Sequence, residues 1–96
     1  MDIYYESIDL INSIETSIYY INALPNPTSQ NVIFVFSKNL NEKATLTIST
    51  IDGRTMMIKE NISSNESVDV SILPSGIYIC TINTISGSRI VKVVKK

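Results

Sequence analysis

Turn signals recur along most of this chain at intervals of about ten residues, with short runs rich in β-branched and aromatic side chains between them. No long segment sets its apolar residues at helical spacing. Runs this short cannot bury an apolar face alone. They must pair into sheets and the sheets must pack, so the punctuation predicts an all-β, antiparallel β-sandwich of about seven strands.

The runs fall at Ile18–Asn22, Val32–Phe36, Ala44–Ser49, Thr55–Lys59, Ser67–Ser71, Ile77–Ile82 and Arg89–Lys95. Val32-Ile33-Phe34-Val35-Phe36 is apolar on both faces, which suggests a strand covered on both sides or one at the heart of the domain. Ala44–Ser49 alternates, with Leu46 and Ile48 toward a core and Thr45, Thr47 and Ser49 toward water. Asp52-Gly53 is a hairpin signal of the type I′ kind, in which both central residues take positive φ. Asn61–Asn65 reads as a polar loop, and Leu73–Gly76 and Ser86-Gly87 as turns. Neighbours alternate faces, so Ile77 and Ile79 should lie opposite Tyr78 and Cys80, and Val91 and Val93 should fill core.

The chain has 96 residues, of which 44% are hydrophobic, so one domain with a single core is expected. A net charge of −1 argues against a general nucleic-acid binder, which needs a basic surface. The charge is uneven. Asp2, Glu6, Asp9 and Glu15 lie in a first quarter without lysine or arginine, whereas Arg89, Lys92, Lys95 and Lys96 lie at the other end without an acid. Lysines on an edge strand discourage edge-to-edge pairing, and the same residues can serve as a recognition surface.

Residues 1–17 have mixed periodicity and read as a linker or N-terminal arm, with the folded domain over 18–96. The opening residues do not make a secretory signal, having no basic start and no continuous apolar stretch. The uncharged run from Thr16 to Ser37 is interrupted by prolines and asparagines, so no transmembrane segment is expected. Cys80 is the one cysteine and sits in an apolar run, where a thiol acts as a small buried hydrophobe.

Enzyme chemistry finds little to work with. The chain has 0 histidines, which removes the commonest general base near neutral pH and most zinc and copper sites. No Cys-x-x-Cys, Gly-x-Ser-x-Gly or phosphate-cradling glycine loop occurs. Asp52-Gly53-Arg54 has too few acids around it for calcium, and Glu66 and Asp69 suit solvated strand positions. No catalytic residue, cofactor or metal is expected.

Three segments stand out. Pro25-Asn26-Pro27 makes a stiff corner that cannot continue a central ladder, because proline lacks the amide donor and fixes φ. In Leu73-Pro74-Ser75-Gly76-Ile77-Tyr78, Leu73 can plug the core and Gly76 can supply positive φ. Tyr78 stands two residues before Cys80, the spacing of the tyrosine corner of immunoglobulin sandwiches, so its hydroxyl should bond to upstream backbone. The basic strand Ile90–Lys96 follows.

In this order the segments resemble the type A C-terminal sorting domain of the type IX secretion system, an immunoglobulin-like sandwich carried by proteins exported from Bacteroidota. The family's Pro-Asn-Pro element falls on Pro25, Asn26 and Pro27, and its glycine before the middle strand on Gly53. Its Leu-x-x-Gly-x-Tyr turn falls on Leu73, Gly76 and Tyr78, and its closing lysine on Lys92. Leu24 stands where the family often has tyrosine. Ser29, Gln30 and Asn31 stand where a glycine or acid often follows, and Asn31 can adopt positive φ in its place.

The resemblance implies a non-catalytic export signal at the end of a larger precursor. Its partners would be type IX translocon components, an upstream cargo domain and a surface sortase-like peptidase that removes it, with the cut within residues 1–17. The domain would pass through the periplasm to the cell surface or medium. Arg89, Lys92, Lys95 and Lys96, with the Pro74–Gly76 turn nearby, are the expected recognition surface. The rival reading is an adhesion, carbohydrate-binding or spacer module, for which Tyr4, Tyr5, Tyr19 and Tyr20 are the candidate contacts.

Overall fold

The computed structural model describes residues 20–37 and 42–96. The strands among them are β1 (Ile21–Leu24), β2 (Asn31–Phe36), β3 (Thr45–Thr50), β4 (Thr55–Lys59), β5 (Glu66–Asp69), β6 (Gly76–Thr84) and β7 (Gly87–Lys95). They form two antiparallel sheets, one of three strands in the order β1-β2-β5 and one of four in the order β4-β3-β6-β7. This is the expected immunoglobulin-like sandwich of seven strands. The residues assigned to the arm, 1–17, lie outside those described, as do the first residues of the run expected at Ile18–Asn22, and β1 begins at Ile21.

Period-two alternation makes the core. Val32, Phe34 and Phe36 of β2 meet Leu46 and Ile48 of β3 and Tyr78, Cys80 and Ile82 of β6, all buried in one cluster with Val68, Val93 and Leu73. Val91 is half-buried against the same cluster. Ile77 is exposed and Ile79 half-buried on the opposite face of β6, as alternation requires.

Three local expectations are corrected. β2 is the central strand of its sheet, but only one face is buried; on the other, Ile33 is exposed and Val35 half-buried. The hairpin at Asp52-Gly53 is a three-residue loop. Gly53 N–H donates to Thr50 C=O at 3.0 Å and Thr50 N–H to Arg54 C=O at 2.9 Å. Gly53 takes φ of 96° and Asp52 stays at negative φ, the arrangement of a tight turn followed by a glycine bulge. Register then shifts between Ile48 and Ser49, leaving Met56 as the extra residue of β4. Asn31 does not take positive φ but opens β2 in extended form; Asn61 and Asn65, at φ of 56° and 71°, are the asparagines that do. Gly76 has the expected positive φ, at 159° close to extended, and begins β6.

The loop from β4 to β5 carries part of the core. Ile62 is buried, and its N–H donates to Ala44 C=O at 2.9 Å. Asn65 N–H donates to Phe34 C=O at 2.8 Å, and Phe36 N–H to Ser64 Oγ at 2.9 Å. The loop thereby ties β2 of one sheet to β3 of the other. Lys59 and Glu66 pair at 3.3 Å across this flank of the sandwich.

Candidate recognition surface

On the opposite flank β1 and β7 face each other, and the segment after β1 joins them. Pro25 and Pro27 have no amide hydrogen to give, so the backbone here cannot form a regular ladder. The Asn26 side chain takes that role. Its Nδ2 donates to Lys92 C=O at 2.8 Å, and its Oδ1 accepts Val94 N–H at 2.9 Å. A carboxamide has one donor side and one acceptor side, like a peptide group, so it continues the pairing along the strand edge. Thr28 then takes over with its own backbone. Its N–H donates to Val94 C=O at 2.9 Å, its C=O accepts Lys96 N–H at 2.8 Å, and it forms a parallel bridge with Lys95. The Thr28 side chain is buried and donates to Asn31 C=O at 2.6 Å.

The Leu73–Tyr78 turn adjoins the same end of β7. Gly76 pairs with Lys95 and Tyr78 with Val93. The Tyr78 hydroxyl donates to Pro74 C=O at 2.6 Å, which makes the expected tyrosine corner. Leu73 is buried beneath it. Thr50, the last residue of β3, pairs with Tyr78, so the Ile51–Gly53 loop leaves the sheet at this end too. Pro25–Pro27, Gly53, Leu73–Tyr78 and the last turn of β7 are scattered in sequence and gather at one end of the sandwich.

The first described residues lie at the other end. Ile21 pairs with Phe36, whose N–H is bonded to Ser64 in the loop that follows β4. That loop lies at the far end of β4 from the Gly53 loop. Tyr20 and Ile21, the first described residues, thus lie at the end opposite the gathered motifs.

The expected recognition set does not form one surface. Lys92 is exposed on the outer face of the four-stranded sheet, and Lys96 is exposed just beyond β7. Lys95 is buried; it pairs with Gly76 on the inner side of β7 and lines a small apolar pocket with Val32, Val70, Tyr78, Cys80 and Val93. Arg89 is exposed at the other half of β7, opposite Ile82. The outward backbone of β7 from Lys92 C=O to Lys96 N–H is already bonded to Asn26 and Thr28, so this half of the edge is not free to accept another strand.

Sequence reasoning missed two participants, Thr28 and the bridging role of Asn26. The signal for Asn26 was its place between two prolines, where a side chain must replace absent amides; nothing local marked Thr28.

Burial pushes the Cys80 thiol up to about 12, so it is a neutral core group. No group of three or more metal-ligating side chains occurs among the described residues. Among them no helix is long and apolar enough to cross a membrane. Tyr20 is exposed, and Tyr4, Tyr5 and Tyr19 lie outside the described residues.

A comparison with curated proteins finds no match. A comparison with protein families finds one described as the secretion system C-terminal sorting domain, matched over residues 18–96. That stretch takes in every described strand and all the segments gathered at the motif end, and on this match the chain belongs to the family of C-terminal sorting domains of the type IX secretion system.

Proposed function

We propose that this domain is a non-catalytic address of the type A kind, read in its folded state by type IX translocon components and then removed from an upstream cargo by a surface sortase-like peptidase. Family membership gives the domain a sorting role and implies secretion to the cell surface or medium. The reading, cutting and cargo steps are the further content of the proposal. The observation that carries them is the separation of the two ends. The family motifs gather at one end, while Ile21, at the start of the first described strand, lies at the other, opposite Phe36. A translocon component can hold the motif end without meeting cargo, and a peptidase can reach the upstream segment without meeting the motif end. The cut is assigned to residues 1–17, ahead of the sheets, because a protease needs extended, accessible backbone.

The test is a reporter fusion. The full chain is attached to the C-terminus of a fluorescent protein with an ordinary Sec signal, in a bacterium with an active type IX system. Fluorescence should reach the surface or medium and be lost in a translocon mutant. Mass spectrometry of the released reporter should place its new C-terminus within residues 1–17. Fluorescence held in the periplasm with the domain folded would overturn the reading in favour of an adhesion or spacer module.

Deleting Val91–Lys96 would not isolate recognition. It would remove Val93 from the core and the partners of Asn26 and Thr28 together. Point substitutions at exposed residues are the cleaner probe.

A further inference from the structure

Cross-strand register defines the outer face of the four-stranded sheet. Ile79 lies directly opposite Lys92, Ile77 opposite Val94, and Thr81 opposite Ile90. Residues directly opposite share a face, and so do alternate residues on one strand. Lys92 therefore has Ile90 and Val94 on either side along β7 and Ile77 and Ile79 beside it on β6, an aliphatic ring open toward the β7 edge. Ile90 is 62% exposed, Ile77 43% and Val94 36%. Ile58, 60% exposed, stands on the same face at the far end of the row Ile58, Thr47, Thr81, Ile90, with the two threonines between. Strand positions on this face carry Thr45, Thr47, Ser49 and Asn83 besides, and no acid. The outer face of the other sheet also carries aliphatic residues, Leu24, Ile33 and Val35, but its strand positions hold Asp69 and no lysine, with Asn22, Asn31 and Ser67.

We propose that this ring is the docking surface for a protein partner that presents a carboxylate within an aliphatic surface, the carboxylate pairing with Lys92. The proposal rests on the sorting reading and names the part of the domain that is read. Three observations select the occupant. A strand added at the edge is blocked along Lys92–Lys96, because Asn26 and Thr28 fill those positions, so a partner at this end must use the face. A second copy docking through the same face would have no carboxylate at its strand positions to offer Lys92. An anionic membrane is held by clusters of cations, whereas this ring holds one lysine in a chain of net charge −1. A single cation flanked by aliphatic side chains, with no acid at the described strand positions of its own face, is complementary to one partner carboxylate in an apolar setting.

The test uses the full chain on the exported reporter. Ile90→Asp and Lys92→Glu should each reduce exported reporter about tenfold or more, since each sets a new charge against the partner surface. Lys92→Arg should retain export. Ile85→Asp, in the β6–β7 turn and 93% exposed, should export normally. Thermal melts of the purified variants should match the unmodified chain, which separates docking from folding. Carbodiimide added to exporting cells should join Lys92 through an amide to an acidic residue of another protein. Lys92→Arg should abolish that product while export continues, because a guanidinium does not form it. Normal export of folded Ile90→Asp and Lys92→Glu would overturn the docking face and leave the sorting reading standing. Cross-linking of Lys92 to a second copy would overturn the choice of partner. So would Lys92-dependent binding of the purified chain to vesicles of anionic phospholipid at physiological salt. Failure of the unmodified chain to export the reporter would defeat the sorting reading, and this proposal with it.

Discussion

Asn26 and Val94 are 68 residues apart in sequence, and the Oδ1 of the first accepts the main-chain N–H of the second at 2.9 Å. The same carboxamide donates to Lys92 C=O at 2.8 Å. One side chain thus closes the β1–β7 flank where two prolines leave no amides for a ladder. Asn26→Ala removes both bonds. Because the contact is exposed, water partly replaces them, and a loss of about 1–2 kcal/mol is expected. Asn26→Asp keeps the acceptor for Val94 but sets a carboxylate oxygen against the Lys92 carbonyl, so it should cost at least as much. Urea titrations check this: the midpoint should fall for both variants with the slope unchanged.

Tyr78→Phe isolates the corner. The ring stays buried and the core keeps its volume, while Pro74 C=O loses its donor at 2.6 Å. A cost of about 1–2 kcal/mol is expected, seen as a melting temperature lower by roughly 4–15 °C. An unchanged melting temperature would show that the corner is held by Leu73 and the ring alone.

The alternation of Leu46 with Ile48, and of Tyr78 with Cys80, was legible because a half-buried strand repeats every second residue whatever lies around it. The tyrosine corner was legible because its partner is local, four residues away. The closing contacts of Asn26 were not. Pro-x-Pro announces a corner, but nothing nearby says which distant strand lies beside it. Ile62 was hidden by its polar neighbours, since one apolar residue in a loop has no period to reveal it. The separation of Lys95 from Lys92 was within reach. Carrying the alternation of Val91 and Val93 one step further puts Lys95 on the inner face and Lys92 on the outer. The Asp52-Gly53 pair was read as a two-residue turn because both loop lengths call for glycine at positive φ, and the bulge at Met56 that distinguishes them leaves no mark in the sequence.

Gly53 tests the loop geometry. An added Cβ would meet nothing within 4 Å, so the cost of Gly53→Ala is conformational and comes from φ of 96°. A loss of about 1 kcal/mol is expected, with a smaller loss for Gly53→Asn, which tolerates this region better. Because Asp52 stays at negative φ, Asp52→Ala carries no backbone strain and should lose only the carboxylate's contacts, chiefly the Thr50 hydroxyl bond. Chemical denaturation of the three variants checks the ranking.

Cys80 is buried, and its thiol is pushed from 9.0 up to about 12 by burial. The thiolate is the reactive form, so the folded protein should resist thiol reagents at pH 8 and label rapidly once unfolded in urea. The raised value also gives the alkaline limb of stability. The unfolded thiol ionises above its ordinary value of 9.0 while the folded one stays protonated, so stability should fall as pH rises from 9.0 toward about 12. Cys80→Ala should flatten that limb at some cost in packing.

On the acid side the sign reverses. Glu66 is held below its ordinary 4.5 first by the Ser63 N–H and then by Lys59. Asp52 is held below 3.8 first by the Thr50 hydroxyl, and Asp69 below 3.8 by Ser71. A lowered value means that the folded state binds the proton less readily than the unfolded chain. These carboxylates therefore contribute stability above their ordinary range, and that contribution is lost as pH falls through and below it. Urea midpoints should hold steady from pH 7 to roughly pH 5.5 and decline below that. Glu66→Gln should shallow the decline, because it removes the titrating group that ties Lys59 of β4 to the start of β5. An undiminished acid slope in Glu66→Gln would assign the loss to Asp52 and Asp69 instead.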